Sequence, residues 1–249
     1  MGNIVDTKTA IEFMKETMEK IRPGSLEETV DLLREKSRRF QEALGSAEAV
    51  RTLSTAQLEQ LTSMIFAMRR RNQWIKEPEK VEAFRHALEA LLYDRQPVSD
   101  RVDAFVQRIP WISPRLRVEI ASEFLHYVFP DQYWLWTRWI WDEKTSTGAL
   151  PLVTTENYVV EGRTPGEKYT SIGKGIAFVH EVGDAAGFQT ISRDLFGTHV
   201  FLSCVYVIYA YTVLRMRMTQ EFNQVMPTMT EFTRRLLGVQ HLTNTAMSN

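Results

Sequence analysis

Apolar residues recur at every third or fourth position through most of the first 145 residues of this chain. In the stretch from residue 54 to residue 68, Leu58, Leu61 and Ile65 would lie one above another on the surface of a helix. This spacing gives each segment one apolar face, and that face must be buried against another element. The pattern predicts a mainly α-helical protein built as a multi-helix bundle.

The predicted helices are separated by residues that start or stop helices. Ser54 followed by Gln57 forms a capping box, and Thr228 followed by Glu231 forms another near the C-terminus. Ser113 precedes a proline at what would be the first helical position, which is the clearest start signal in the chain. These signals divide the first 145 residues into consecutive helices.

The helical spacing disappears between residues 145 and 187, where glycine, threonine and β-branched residues are frequent. We interpret this stretch as an irregular excursion with a short β-hairpin around the sequence GRTPGE, residues 162–167. Helical spacing then returns. The predicted organisation is an N-terminal helical region over residues 1–145, an irregular or β excursion over 146–187, and C-terminal helices over 188–240. We expect the C-terminal helices to pack on the N-terminal region within one domain.

Composition restricts the partners and the chemistry that we expect. The 30 basic residues nearly balance the 31 acidic ones, so the whole chain has little net field to attract nucleic acid or an acidic substrate. The single cysteine, Cys204, rules out an intrachain disulfide and an all-cysteine metal site. The first residues, MGNIVDTKTAIEF, lack the basic start and apolar run of a secretory signal. We therefore expect a cytoplasmic protein with no cofactor, no metal site and no recognisable set of catalytic residues.

Four of the six tryptophans lie within the stretch HYVFPDQYWLWTRWIW, residues 126–141. On a helix, Trp134, Arg138 and Trp141 would share one face and Trp136 would lie opposite, so no single face would hold all four indoles. A buried indole needs a partner for its N–H, which favours a position between packed layers or at a protein interface. A core position also explains the stretch without any function. The functional hypothesis is a partner-binding surface formed by Trp134, Trp136, Arg138, Trp139 and Trp141.

Aromatic residues, methionine and arginine are enriched at the centres of protein interfaces, and this chain contains 10 methionines beside its aromatic residues. We therefore expect a non-catalytic accessory or interaction subunit of a larger protein complex. Other protein subunits are the expected partners, and a homo-oligomer is compatible with the same surface.

A second hypothesis is a small-ligand-binding protein or an enzyme that uses residues 168–184. Glycines and lysines together can bind phosphate through backbone N–H groups and an ammonium. The spacing matches neither a Walker loop nor a dinucleotide-binding motif, and a flexible loop explains the glycines equally well. The residues of this hypothesis are Lys168, Gly173, Lys174, Gly175, His180 and Glu181.

A third hypothesis is nucleic-acid binding through Arg69, Arg70 and Arg71, although the near-neutral chain makes nucleic acid an unexpected partner. A second basic cluster around Lys36 is interleaved with glutamates, which is typical of a solvent-exposed helix face. The fourth hypothesis is membrane attachment through residues 195–214, which have the length that a bilayer requires. We favour a buried core helix for that stretch, because a histidine and several hydroxyl groups interrupt it.

Overall fold

The chain is mainly helical in the part that the structure describes. The computed structural model describes residues 4–69, 71–217 and 227–242, and within them it has twelve α-helices and no β-strand. The all-helical prediction is therefore confirmed. The helices are α1 (Thr7–Lys20), α2 (Pro23–Leu44), α3 (Ala47–Arg51), α4 (Thr55–Ser63), α5 (Pro78–Tyr93), α6 (Val98–Arg108), α7 (Pro114–Val128), α8 (Ala149–Val153), α9 (Pro165–Glu181), α10 (Gly183–Ala186), α11 (Leu195–Arg217) and α12 (Met229–Leu236).

Several helix boundaries follow the signals in the sequence. Ser54 caps α4, and its hydroxyl accepts the N–H of Gln57 while the Gln57 side chain accepts the N–H of Ser54. Thr228 caps α12 through the same reciprocal pair of bonds with Glu231. Helix α7 begins at Pro114, as the preceding serine predicted.

The β-hairpin predicted around residues 162–167 is wrong, because these residues form the start of α9. The Thr164 hydroxyl accepts the N–H of Glu167 at 3.2 Å, and the Glu167 carboxylate accepts the N–H groups of Arg163 at 2.6 Å and Thr164 at 3.4 Å. This is a capping box with Pro165 at the first helical position. The proline and glycines that indicated a turn therefore start a helix.

Two compact units are each assembled from separated parts of the chain. Unit 1 comprises Met1–Arg34, Arg138–Tyr158 and Gly175–Asn249, and unit 2 comprises Glu35–Thr137 and Val159–Lys174. In unit 1, α11 packs against α1, α8 and α12. In unit 2, α5 packs against α3, α6 and α7.

Helix α11 is the core helix of unit 1. Residues 196–205 are all buried, and only the later part of the helix has an exposed side, where Tyr209 is 38% exposed. By length and composition, the stretch Leu195–Val213 is the one helix in the described part of the chain that could cross a membrane. Within unit 1, Phe201 stacks on Phe188 with ring centres 4.1 Å apart. A helix buried on all sides in a protein core has the same apolar composition as a membrane span.

Candidate functional site

Four polar residues of α7 are buried inside unit 2. Glu119, Ser122, Glu123 and His126 are spaced three or four residues apart, so they share one face of the helix, and all four are buried. Residues 118–128 are buried without exception. Buried polar side chains require hydrogen-bond or ionic partners, so this face must be matched by polar groups from its surroundings.

Lys36 of α2 supplies an ionic partner for this face. Its Nζ lies 2.8 Å from Oε2 of Glu123, and its side chain is 0% exposed. The Nζ also lies 3.9 Å from the centre of the Tyr127 ring, which is a cation–π contact. Burial lowers the pKa of Lys36 and raises the pKa of Glu123, while their mutual attraction opposes both shifts. Burial and the Glu123 charge together raise the pKa of Tyr127.

The prediction that Lys36 belongs to a solvent-exposed basic face is wrong. Lys36 and Ser37 lie three or four residues from Leu33 and Phe40, which are both buried core residues of α2. They therefore share the buried face of the helix rather than the face of the neighbouring arginines. The sequence already shows this spacing, but the charge of Lys36 led to the prediction of an exposed side chain.

Helix α2 also holds the C-terminal end of α7. The Ser37 hydroxyl donates to the carbonyl of Tyr127 at 2.8 Å, and the Gln41 amide donates to the carbonyl of Val128 at 3.3 Å. The last carbonyls of a helix have no partner within the helix, so these side chains satisfy groups that would otherwise be unpaired. They fix the point at which the chain leaves α7 and enters residues 129–141, which carry four tryptophans and which we call the aromatic stretch.

The aromatic stretch is not a helix, so the helical arrangement of its tryptophans predicted from the sequence is wrong. Residues 133–137 have no regular secondary structure. Pro130 follows the end of α7. Side chains of α7 and α9 form hydrogen bonds with the backbone of the stretch in place of helical bonds. The bonds are His126 Nδ1 to the Tyr133 carbonyl at 2.8 Å, Tyr169 hydroxyl to the Trp134 carbonyl at 2.9 Å, and the Trp136 N–H to the Ser122 hydroxyl.

The five residues of the predicted partner-binding surface differ in burial. Trp136 is 7% exposed and Trp139 is 5% exposed, so both are core residues. Trp134 and Trp141 are half-buried, and Arg138 is exposed. The stretch also divides between the units, since Trp134 and Trp136 belong to unit 2 and the other three belong to unit 1.

The unit 1 part of the stretch supports the short helix α8. The carbonyls of Trp139 and Ile140 accept the N–H groups of Ala149 at 2.8 Å and Leu150 at 3.0 Å. Gly148 allows this close approach, because its φ is +144° and a Cβ there would overlap the carbonyl of Ile140. The backbone around Trp139 is therefore fixed by hydrogen bonds as well as by burial.

Sequence analysis missed a row of three half-buried rings in unit 2, formed by Tyr93, Phe129 and Tyr133, which we call the aromatic row. The ring centres of Tyr93 and Phe129 are 5.9 Å apart, and those of Phe129 and Tyr133 are 6.0 Å apart. Both pairs are edge to face, which is a favourable arrangement for aromatic rings. Tyr93 is far from the other two residues in sequence, and Phe129 and Tyr133 follow the end of α7. No helical repeat therefore connects the three residues.

Arg101 fixes one end of the aromatic row. This buried arginine donates from Nη2 to the Tyr133 hydroxyl at 2.6 Å, and from Nη1 to the carbonyls of Leu91 at 2.6 Å and Leu92 at 3.3 Å. These carbonyls are at the C-terminal end of α5, where a cation is favoured by the helix dipole. At the other end, the Tyr93 hydroxyl donates to the carbonyl of Leu44.

The residues of the ligand-binding hypothesis lie within α9, so the prediction of a flexible loop is wrong. Their backbone N–H groups are used within the helix, and Lys168 and Lys174, six residues apart, point to different sides. Gly173 packs against the Trp134 ring within unit 2, because a Cβ on residue 173 would lie only 3.0 Å from Cδ1 of that ring. Gly175 is buried against the phenol of Tyr158 in unit 1. The two glycines therefore make room for aromatic rings, and ligand binding by this set of residues stays a prediction.

The remaining predicted site residues are scattered. Glu181 is exposed at the end of α9, and His180 Nδ1 lies 2.7 Å from the Thr198 hydroxyl, where burial lowers the pKa of the imidazole. Arg69 and Arg71 are exposed, and Arg70 lies outside the described residues. Nucleic-acid binding by these arginines stays a prediction.

Neither metal ligands nor relatives indicate an activity. In residues 4–69, 71–217 and 227–242, no three His, Cys, Asp or Glu side chains are grouped to hold a metal ion. Burial raises the pKa of Cys204 to about 12, so this thiol is protonated at neutral pH and is a poor nucleophile. No family model matches the chain, and no curated protein or solved structure matches it significantly. What the chain does must therefore follow from its own residues.

Proposed function

We propose that this chain is a non-catalytic accessory or interaction subunit of a cytoplasmic protein complex. The observation that carries the proposal is the surface position of Arg138, which is exposed, and of Trp141, which is half-buried, three residues apart in unit 1. Tryptophan and arginine are the residues most enriched among those that dominate binding energy at protein interfaces. A half-buried indole also leaves apolar surface in contact with water, which a partner can cover.

The backbone that carries these side chains is already ordered. The carbonyls of Trp139 and Ile140, which lie between Arg138 and Trp141 in the chain, accept the first N–H groups of α8 within unit 1. A segment that is ordered before binding loses less conformational entropy when a partner docks. A surface tryptophan carried by an ordered backbone is therefore suited to binding.

The buried tryptophans have a different role in this proposal. Trp136 and Trp139 pack inside their units and support the residues beside them, so they are not contact residues. Replacing either one with alanine would leave a cavity, and the effect on binding could not be separated from a loss of stability. The binding set in this proposal is therefore restricted to Arg138 and Trp141 of unit 1.

The proposal can be tested by affinity purification of the tagged chain from its native source, followed by mass spectrometry. We expect Trp141→Ala and Arg138→Ala to reduce recovery of at least one specific partner by about tenfold or more, because central interface residues contribute about 2 kcal/mol or more. Phe66→Ala is the matched control, since Phe66 is 43% exposed and lies outside the stretch. Full partner recovery with both variants, each folded by circular dichroism, would contradict the proposal.

A further inference from the structure

Two stretches of unit 2 carry basic residues and no acidic ones. Residues 60–76 contain four arginines or lysines, and residues 104–118 contain three arginines. These basic residues are Arg69, Arg70, Arg71, Lys76, Arg108, Arg115 and Arg117. The net charge of the whole chain is only −1, so the excess of positive charge in these stretches is balanced by acidic residues elsewhere. The near-neutral total therefore conceals a strong local segregation of charge.

The fold brings the two stretches side by side. Trp74 of the first stretch and Trp111 of the second have ring centres 6.3 Å apart. The turn Phe66–Met68 of the first stretch also packs against α7, which begins at Pro114 within the second stretch. The two stretches therefore form one region of unit 2, which we call the basic patch.

Most charges of the basic patch are in contact with water. The exposed members are Arg69, Arg71, Lys76, Arg108 and Arg115. Among the residues that the structure describes, Arg71, Lys76 and Arg108 form no ion pair, whereas exposed arginines of α2 pair with carboxylates of their own helix. Cations that lie close together without counterions repel one another, and a polyanion relieves this repulsion.

Arg117 holds the second stretch in one conformation. Its guanidinium donates to the carbonyls of Ile112 at 2.5 Å, Val106 at 3.0 Å and Pro110 at 2.8 Å. The connection between α6 and α7 is therefore tied to the start of α7. A ligand that binds this connection has less conformational entropy to remove than it would on a free loop.

Aromatic side chains lie among these charges. Phe66 is 43% exposed and Trp111 is half-buried, so both rings present surface to water. Proteins that bind single-stranded nucleic acid combine cations that contact the phosphates with aromatic rings on which the bases stack. A duplex keeps its bases stacked on one another, and a lipid headgroup has no base. Cations and aromatic rings together therefore favour a single strand over a duplex or an anionic membrane.

We propose that the basic patch binds single-stranded nucleic acid. The phosphates contact the exposed arginines and lysine, and bases stack on Phe66 and Trp111. This activity goes beyond the proposed function, because it uses residues of unit 2, whereas Arg138 and Trp141 belong to unit 1. Binding through phosphates and ring faces requires no particular base sequence.

The test is fluorescence anisotropy of the full chain with a labelled single-stranded oligonucleotide of mixed sequence. We expect saturable binding that weakens about fiftyfold between about 50 and 200 mM salt, because about four phosphate contacts each contribute about 0.7 to the salt slope. An abasic strand of the same length binds about fivefold more weakly, since it cannot stack. A duplex of the same sequence and vesicles of anionic lipid bind more weakly than the single strand.

Variants of exposed residues locate the site without disturbing the core. The double variant Arg71→Glu with Arg108→Glu weakens binding by about tenfold or more, because two attractions become repulsions. Arg95→Glu is the matched control, since Arg95 is an exposed arginine of unit 2 outside both stretches, and it changes binding by about twofold at most. Phe66→Ala weakens binding by about fivefold through lost stacking. Circular dichroism checks that each variant is folded.

The proposal is overturned if the folded wild-type chain does not bind the single strand at low salt, or if the abasic strand binds equally well. Tighter binding of the duplex or of the vesicles also overturns it, as does unchanged binding by the charge-reversed variant. Recovery of protein partners after nuclease digestion separates this proposal from the proposed function. A recovery that depends on Trp141, together with no oligonucleotide binding, would remove the nucleic-acid inference alone.

Discussion

At the scale of single residues, the contact between Lys36 and Glu123 shows how a charged pair can lie entirely inside a helical protein. The ammonium has a carboxylate at 2.8 Å and an aromatic ring at 3.9 Å, so its lost hydration is partly replaced. The sequence prediction placed Lys36 on an exposed face, although its spacing with Leu33 and Phe40 indicates the buried face. No such spacing indicates the burial of Glu123, because the sequence of a helix with one apolar face is the same whether its polar face meets water or protein.

Breaking this pair on one side should destabilise the fold strongly. We expect Glu123→Met to lower the free energy of unfolding by about 3–5 kcal/mol, because it leaves the Lys36 charge buried without a counterion. The double variant with Lys36→Met and Glu123→Met should lose less than Glu123→Met alone, since no charge remains. Urea denaturation of the wild type, both single variants and the double variant measures the coupling. Additive losses would show that the two side chains do not interact.

A glycine in α9 provides a second prediction at this scale. A Cβ at Gly166 would overlap the backbone carbonyl of Ser99 within unit 2, whereas a Cβ at Gly24 meets nothing within 4 Å. We expect Gly166→Ala to reduce stability by about 1–3 kcal/mol through overpacking. Gly24→Ala is the matched control in a helix, and it should raise stability by up to about 1 kcal/mol. Thermal or urea unfolding of both variants compares them directly; equal effects would mean that the α6 backbone moves aside.

At the scale of elements, the capping signals at Ser54, Ser113 and Thr228 predicted the starts of three helices correctly. The start of α9 was missed, although Thr164 and Glu167 have the same spacing, because the intervening proline and glycine suggested a turn. The aromatic stretch was misassigned for a different reason. Its backbone bonds come from side chains on α7 and α9, and such long-range partners have no local signature in sequence.

Asp194 determines how the start of α11 responds to acid. Its carboxylate accepts the N–H of Gly197 at 3.2 Å and the Nη2 donor of Arg34 at 2.8 Å, within unit 1. Burial raises the pKa of Asp194, but the hydrogen bonds from Arg34, Ser192 and Gly197 outweigh it and lower the pKa below the usual value of an aspartate. The ionised form is therefore favoured by folding. This stability is present above the unfolded pKa and is lost as pH falls through the folded pKa.

We expect Asp194→Asn to be less stable than the wild type at neutral pH, because the amide keeps an acceptor for the cap but loses the charge that pairs with Arg34. Below the folded pKa of Asp194 the difference should shrink, since the wild-type carboxyl is then protonated as well. Urea denaturation at several pH values between neutral and strongly acidic tests this. A constant difference at all pH values would show that Asp194 acts only through packing.

At the scale of the whole molecule, the question is whether protein or lipid surrounds α11. It is the one described helix with the length and composition of a membrane span. Of the apolar window Leu195–Val213, 72% is buried within the protein. Composition alone could not decide between a core helix and a membrane span. The distinction requires knowing what surrounds each side of the helix.

Two lysine substitutions on α11 separate these environments. We expect Val205→Lys to unfold or precipitate the protein, because Val205 is 0% exposed and an unpaired buried charge is strongly unfavourable. Tyr209→Lys should be tolerated, because Tyr209 is 38% exposed and the ammonium would reach water. Soluble yield without detergent and circular dichroism compare the two. If both variants fail equally and detergent rescues the wild type, lipid rather than protein surrounds the helix.

The continuous burial of residues 118–128 in α7 has a consequence for the history of the sequence. An ordinary surface helix accumulates neutral substitutions on its outer side, but this segment has no outer side on which they could accumulate. A change at Glu123 calls for a compensating change at Lys36, and a change at Ser122 or His126 disturbs the segment that carries the tryptophans. Descendants of this chain should therefore change residues 118–128 mainly by exchanging apolar side chains of similar volume, and a change at Glu123 should be accompanied by one at Lys36.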